Sequence, residues 1–243
     1  MPKYPRKPKD KFKVMHSVFD EFTNRTLYRL ITRGYFEGLE SPISIGKEAN
    51  IFSAKTKTGR VMVKIYRLET CDFNRMYDYL KVDPRFLSLK AKKRKVIFAW
   101  TQREYRNLLK AREANIRVPT PIAFLNNVLV LEFIGSGGEI APRLKDKEPK
   151  NPKKFLADII SQMKKLHNAG LVHADLSAFN ILNFNEKPVF IDFSQCTTLK
   201  NPYAEEYLDR DIKNISTFFR KLGLKIDESQ IKDEILKKPS PKP

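Results

Sequence analysis

His173, Asp175 and, five positions further on, Asn180 interrupt an apolar stretch at LVHADLSAFNIL, residues 171–182. A second stretch, VFIDFSQ at 189–195, sets Asp192 among Val, Phe and Ile. Apolar runs of this length, bounded by polar segments, read as buried strands or strand ends, where a carboxylate needs a counter-charge or a metal ion. Between them lies LNFNEKPVF, a segment with the pattern of a short hairpin, and a hairpin brings its ends together. Asn180 and Asp192 could then converge on one cation while Asp175 faces an incoming hydroxyl or water. Such hard oxygen ligands suit Mg²⁺ bound together with nucleotide phosphates, and phosphoryl transfer asks chiefly for positioning and charge neutralisation. The plainer alternative, that His173 and Asp175 only tie down a loop by hydrogen bonds, is weakened by the IDF run at the right distance.

The first half of the chain offers complementary groups. Lys64 in VMVKIY stands in an apolar strand pattern, where an ammonium is costly unless it meets an anion. Glu104, in TQREYRNLL, is a candidate partner, and a Lys held by a Glu could grip the α and β phosphates of ATP. Taken singly, each has a bland explanation: a lysine can snorkel from an edge strand, and a helix carries many solvated glutamates. SIGKEAN at 44–50 sits where a phosphate-cradling turn belongs. With only Gly46 it matches neither glycine-rich phosphate motif, yet amides around Gly46, with Ser44 and Lys47, could still reach phosphate oxygens. LEFIG would connect two lobes as an adenine-binding hinge, the Glu132 carbonyl and Ile134 amide facing the base.

The elements that must position these groups follow from periodicity. A short amphipathic helix is expected over 23–33, with Gly34 as its C-terminal cap. ISIGKEANIFSAKT and GRVMVKIYRL read as a hairpin turning at Gly59. The basic stretch 81–95, with Ser88 its one hydroxyl, reads as a mobile loop and an intramolecular phosphate acceptor. It precedes a long helix over 96–114. PIAFLN and VLVLEFI form a second hairpin across Asn126 and Asn127, and Gly135 to Gly138 read as a flexible connector. Asn151 caps a helix with Pro152 in its first turn, and helices over 203–222 and 228–237 close the chain. The expected organisation is a flexible basic N-terminus at 1–17, an N-lobe with its preceding helix at 18–134, a C-lobe at 135–237 and a flexible tail at 238–243.

Composition narrows the partners. Lys and Arg number 47 against 28 Asp and Glu, and the resulting +19 favours polyanions such as RNA, or reflects a generally basic surface. With only Cys71 and Cys196 there is no disulfide framework and no zinc-type spacing. No apolar run approaches a membrane span, and MPKYPRKPKDKFK is too charged for a signal peptide. A cytoplasmic protein without a membrane partner is expected.

The order SxGKEAN, VxVKIY, a helical RE, LEFIG, HADLSxxN and IDFSQ resembles the RIO family of atypical protein kinases, type-one branch, over about residues 18–222. The resemblance implies an α+β, bilobal protein-kinase-like fold. A small β-rich N-lobe would carry one long helix, and a reduced helical C-lobe would lack the activation segment and peptide-binding helices. It implies Lys64 and Glu104 as the ion pair, Asp175 as catalytic base, and Asn180 and Asp192 as metal ligands. Asp192 would also be a candidate nucleophile. It further implies ATP with Mg²⁺ or Mn²⁺, ATP hydrolysis or autophosphorylation on serine or threonine, and a role in maturing the small ribosomal subunit, with ribosomal RNA as a partner. A minimal chain of this kind looks archaeal. Two features depart from ordinary protein kinases, Ser177 in place of a basic residue and Asp192-Phe193-Ser194 in place of DFG, and one departs from the type-one branch, Ala178-Phe179 in place of its common Glu-Tyr. Two alternatives stand beside this reading: a small-molecule phosphotransferase of the aminoglycoside or choline kinase type, and a nucleotide-gated RNA-binding assembly factor.

Overall fold

The computed structural model describes residues 19–237; the termini expected to be flexible, 1–17 and 238–243, lie outside them. Five antiparallel strands form one sheet in the order β1-β2-β3-β5-β4: β1 (Gly38–Ile45), β2 (Ala49–Lys55), β3 (Arg60–Tyr66), β4 (Pro121–Leu125) and β5 (Val128–Glu132). Alternation along β3 assigns its side chains to two faces. Val63 and Ile65 pack with Leu27 and Leu30 of helix α1 (Glu21–Thr32), whereas Met62 packs toward the other core and Lys64 shares its face. Helix α1 begins two residues before the expected start, because Asp20 caps it by accepting from the Thr23 amide at 3.0 Å.

The β-rich run at 43–56 is divided at the turn expected within SIGKEAN. Residues 46–48 turn, Gly46 N–H donates to the Ala49 carbonyl at 3.0 Å, and β1 extends back to Gly38. A further helix, α2 (Phe73–Lys81), was not expected at all. Asp72 caps it through the Arg75 amide, and Met76 and Leu80 bury its inner face with Val96, Ile97 and Trp100 of helix α3 (Lys93–Glu113). The basic stretch 81–95 is therefore structured at both ends: Lys81 ends α2, Pro84–Phe86 form a 3-10 turn, and Lys93 already belongs to α3.

Gly135 to Gly138, expected as a flexible connector, form a small hairpin of β6 (Gly135–Ser136) and β7 (Glu139–Ile140). Gly137 and Gly138 supply the left-handed φ values of 60° and 88° that its turn requires. Beyond it, α4 (Pro152–Asn168) starts at the Asn151 cap, and β8 (Leu171–Val172) pairs with β11 (Thr197–Thr198). The expected hairpin is β9 (Ile181–Phe184) with β10 (Lys187–Phe190). Helices α5 (Ala204–Lys221) and α6 (Glu228–Leu236) complete the lobe. One apolar core joins Ile159, Met163, Phe190 and Phe219 below to Leu108, Leu129 and Leu131 above, so the sheet is seated on the helical lobe through a shared interior.

Candidate active site

Lys64 leaves β3 into the space between the lobes. Its Nζ lies 2.8 Å from Glu104 Oε1, on α3, and 3.0 Å from Asp192 Oδ1, just after β10. Both members of the Lys64–Glu104 pair are buried, and the Tyr66 hydroxyl donates to the other Glu104 oxygen. Burial alone would discharge the ammonium, but the two carboxylates outweigh it and hold the Lys64 pKa above its ordinary value. Burial raises the Glu104 carboxyl, which Lys64 only partly offsets. At Asp192 the balance runs the other way: burial pushes up, and Lys64 with the Ser194 hydroxyl at 2.7 Å brings the carboxyl down to about 2. Asp192 is therefore an anion at any physiological pH.

The loop carrying Asp175 is fixed from below by α5. Asp211 accepts from the Ala174 amide at 2.8 Å and the Leu176 amide at 2.7 Å, Arg210 donates to the Ala174 carbonyl, and Asn214 to the Leu176 carbonyl at 3.2 Å. Ala174 needs this grip because its φ is 67°, a left-handed conformation that costs a residue with a Cβ about 1 kcal/mol or more. Asp192 has φ 61° as well. Asn180 donates Nδ2 to the Asp175 carbonyl at 2.8 Å and to its carboxylate at 3.0 Å. Burial and the nearby Asp192 charge raise the Asp175 carboxyl. His173 is buried 3.1 Å from the Ile191 carbonyl, and desolvation lowers its pKa to about 4. It is neutral and structural, so the loop-tying alternative holds for His173.

A second support reaches the same place from α3. Asn107 donates to the carbonyls of Phe193 at 2.9 Å and Cys196 at 2.8 Å, and the wholly buried Arg103 donates to that of Ser194 at 3.2 Å. Arg103 is neutralised by buried Asp83, 3.2 Å away, which also takes Arg85. Thus the helix that presents Glu104 also fixes the segment following Asp192. Sequence reading missed Asp83, Arg103, Asn107 and Asp211, each of which looks in the chain like an ordinary solvated polar residue.

These groups open onto one cleft of about 370 Å³, lined by Ser44, Lys64, Glu104, Ile134, Asn180 and Asp192 among mainly apolar neighbours such as Met62 and Leu131. Lys47 is exposed and outside this lining, and the Glu132 carboxylate is turned to Arg117 and Thr120. Asp175 sits beside Asn180 at the edge rather than in the lining. Ser88 lies apart, in a groove with Phe98 and Gln102. Those α3 positions stand roughly opposite Glu104 at about 100° per residue, so Ser88 is not placed next to this cleft.

The model of the RIO domain matches residues 50–231. The chain belongs to the RIO family. It is 43% identical to the RIO-type serine/threonine-protein kinase Rio1 of Haloferax volcanii, over 91% of this chain and 77% of the relative. It is 41% identical to that of Methanocaldococcus jannaschii, over 89% and 74% respectively. The human serine/threonine-protein kinase RIO1 is 35% identical over 84% of this chain, which spans 37% of that longer protein. Among solved structures, the Rio2 kinase–ADP/Mg²⁺–phosphoaspartate complex of Chaetomium thermophilum matches with a TM-score of 0.67 at 23% identity, over 87% of this chain and 66% of that one. The protein is thus a RIO1-type serine/threonine-protein kinase with a kinase-like fold. Only residues 193–203 separate Asp192 from α5, which leaves no length for an extended activation segment. No helix among the described residues is long and apolar enough to cross a membrane.

Proposed function

We propose that this RIO kinase binds ATP with Mg²⁺, or Mn²⁺ in its place, between lobes formed by 18–134 and 135–237, and transfers the γ-phosphoryl group to serine or threonine hydroxyls or to water. The observation that carries the reading is the Lys64 ammonium held between Glu104 and Asp192 in an otherwise apolar cleft. The adenine would lie between Met62, Leu131 and Leu182, with Ile134 in the lining beside it; the Glu132 carbonyl, outside that lining, and the Ile134 amide would be its hydrogen-bond partners. The Ser44 hydroxyl and the Lys47 ammonium would meet phosphate oxygens, while the Gly46 amide is already bonded to Ala49. The residues fit the metal: Asn180 spends its N–H groups on Asp175 and keeps Oδ1, and Asp192 commits Oδ1 to Lys64 and Ser194 and keeps Oδ2. Two hard oxygens, with no cluster of three acidic, His or Cys groups among the described residues, suit a cation that completes its shell with phosphate and water. When bound, it would neutralise phosphate charge. Asp175 would take the proton of the attacking hydroxyl as its oxygen bonds to phosphorus and the bond to ADP breaks.

A second reading gives Asp192 a covalent role, favoured by the phosphoaspartate in the Rio2 complex. The free Asp192 oxygen would bond to the γ-phosphorus as ADP leaves, and water, giving its proton to Asp175, would then release phosphate. Single-turnover labelling tests it: a hydroxylamine-sensitive phosphoenzyme that accumulates in Asp175→Ala supports the covalent step, and its absence from both proteins removes it. The ATP site itself is tested by Lys64→Ala, which should abolish ATP-dependent labelling. Unchanged nucleotide affinity and turnover would overturn the reading.

We further propose that the kinase autophosphorylates and acts in maturing the small ribosomal subunit, the +19 charge supplying RNA affinity. Because Ser88 lies away from the cleft, its phosphorylation would pass between molecules, and its rate per molecule should rise with protein concentration. For the ribosomal role, Asp175→Ala should bind precursor subunits and fail to leave them on adding ATP. Equal release by wild type and variant would reduce the protein to a passive RNA binder.

A further inference from the structure

The groove on the far side of α3 is a second built concavity, of about 480 Å³. Its apolar lining is Phe86, Leu89, Phe98 and Phe124, all buried or half-buried, with Gln102 as the amide among them. Its cations are Arg85, Lys90 and Lys95, and no carboxylate lines it. Arg85 is occupied by Asp83 and Asn107, but the exposed Lys90 and Lys95 ammonium groups have no partner among the described residues. The helix beside the groove shows the same imbalance. Lys92, at the N-cap of α3, makes no side-chain cap, and Lys93, Arg94 and Lys95 fill the first turn with no acidic residue among them. Cations there oppose the helix dipole, and anions brought to that end would be stabilising.

We propose that this groove docks an acidic linear segment of a partner protein, one aromatic or aliphatic side chain seated among Phe86, Phe98 and Phe124 and flanking carboxylates paired with Lys90 and Lys95. The chain's own ends are the wrong occupants, since 1–18 and 238–243 are themselves rich in lysine and arginine. RNA would have to stack on Phe98 and Phe124, which are half-buried, because Phe86 is 7% exposed and offers no open ring. The site also adjoins the positioning network, because Arg85 touches both Asp83 and Asn107.

The test uses the full chain and a short fluorescein-labelled peptide carrying one Phe and one Leu among glutamates, read by fluorescence anisotropy. Lys90→Glu with Lys95→Glu should weaken binding roughly ten-fold or more, and the milder Lys90→Ala with Lys95→Ala pair should fall between. Replacing the peptide's Phe and Leu by Ser should weaken it by about as much. Lys165→Glu with Lys187→Glu, on a different groove, should leave it within about two-fold, which separates docking from general attraction to a basic protein. Kinase turnover and melting temperature of the Lys90/Lys95 variants should match wild type. Equal affinity in the Lys90/Lys95 variants, equal loss in the Lys165/Lys187 pair, indifference to the apolar anchors, or tighter competition by oligouridine than by unlabelled peptide would each overturn the proposal.

Discussion

Replacing Lys64 by Met tests the buried charge cluster as a unit. The substitution fills nearly the same volume and removes the cation between Glu104 at 2.8 Å and Asp192 at 3.0 Å. Breaking a buried ion pair by removing one partner costs about 3–5 kcal/mol when the orphaned charge persists. Here two features limit the cost: burial already raises the Glu104 carboxyl, so it can take up a proton, and the Tyr66 hydroxyl still donates to it. The expected loss is about 2–3 kcal/mol, or roughly 4–12 °C in Tm for a chain of this size. In the variant, folded Glu104 binds its proton more tightly than the unfolded chain does. The deficit is therefore full at high pH and shrinks as pH falls through the raised folded value toward the ordinary carboxylate range. Lys64→Met with Glu104→Gln should recover most of the stability and none of the turnover, which stays about 100-fold down in both proteins. Urea melts near pH 8 and pH 5.5, run beside single-turnover phosphate release, measure all of this. A Lys64→Met protein as stable as wild type near pH 8, or a double variant less stable than the single, would refute the reasoning.

Asp211→Ala should leave the Ala174 and Leu176 amides unpaired, costing about 2–4 kcal/mol and lowering kcat with little change in the KM for ATP. Asp211→Asn, which keeps an acceptor, should restore part of both, as steady-state kinetics and urea melts would read. His173, neutral down to about 4, contributes stability that is lost as pH falls from its unfolded value near 6.5 toward 4, on the order of 3 kcal/mol across that window. His173→Gln should flatten that part of the stability profile, and an unchanged slope would count against a buried neutral imidazole. Arg103→Met should raise the Mg²⁺ concentration needed for half-maximal turnover, since Ser194 and Gln195 lose their donor and Asp192 its fixed neighbour. An effect on Tm alone would make Arg103 merely a core residue.

Most of the elements, and the residues that meet at the cleft, were legible in the sequence. Lys64 in an apolar strand, HADLSxxN and IDF were legible because a charged group inside an apolar run demands a partner. The β9–β10 hairpin brought Asn180 and Asp192 together as their spacing implied, with Ile191 N–H bonded to the Asn180 carbonyl at 3.0 Å. Caps at Asn151 and apolar periodicity placed α4 and α5 within a residue or two. Helix α2 carried a signal of its own in Asp72, Met76 and Leu80, but so short an amphipathic run settles as helix only once it has α3 to pack on. The tertiary structure alone decided what supports the site. Arg103 and Asn107 become buried because loop carbonyls more than 80 positions away close over them, and Asp211 because the loop at Ala174, over 30 positions earlier, turns its amides toward it. Periodicity records which residues share a face, while the partner that makes a buried charge tolerable is chosen by the packing of distant segments.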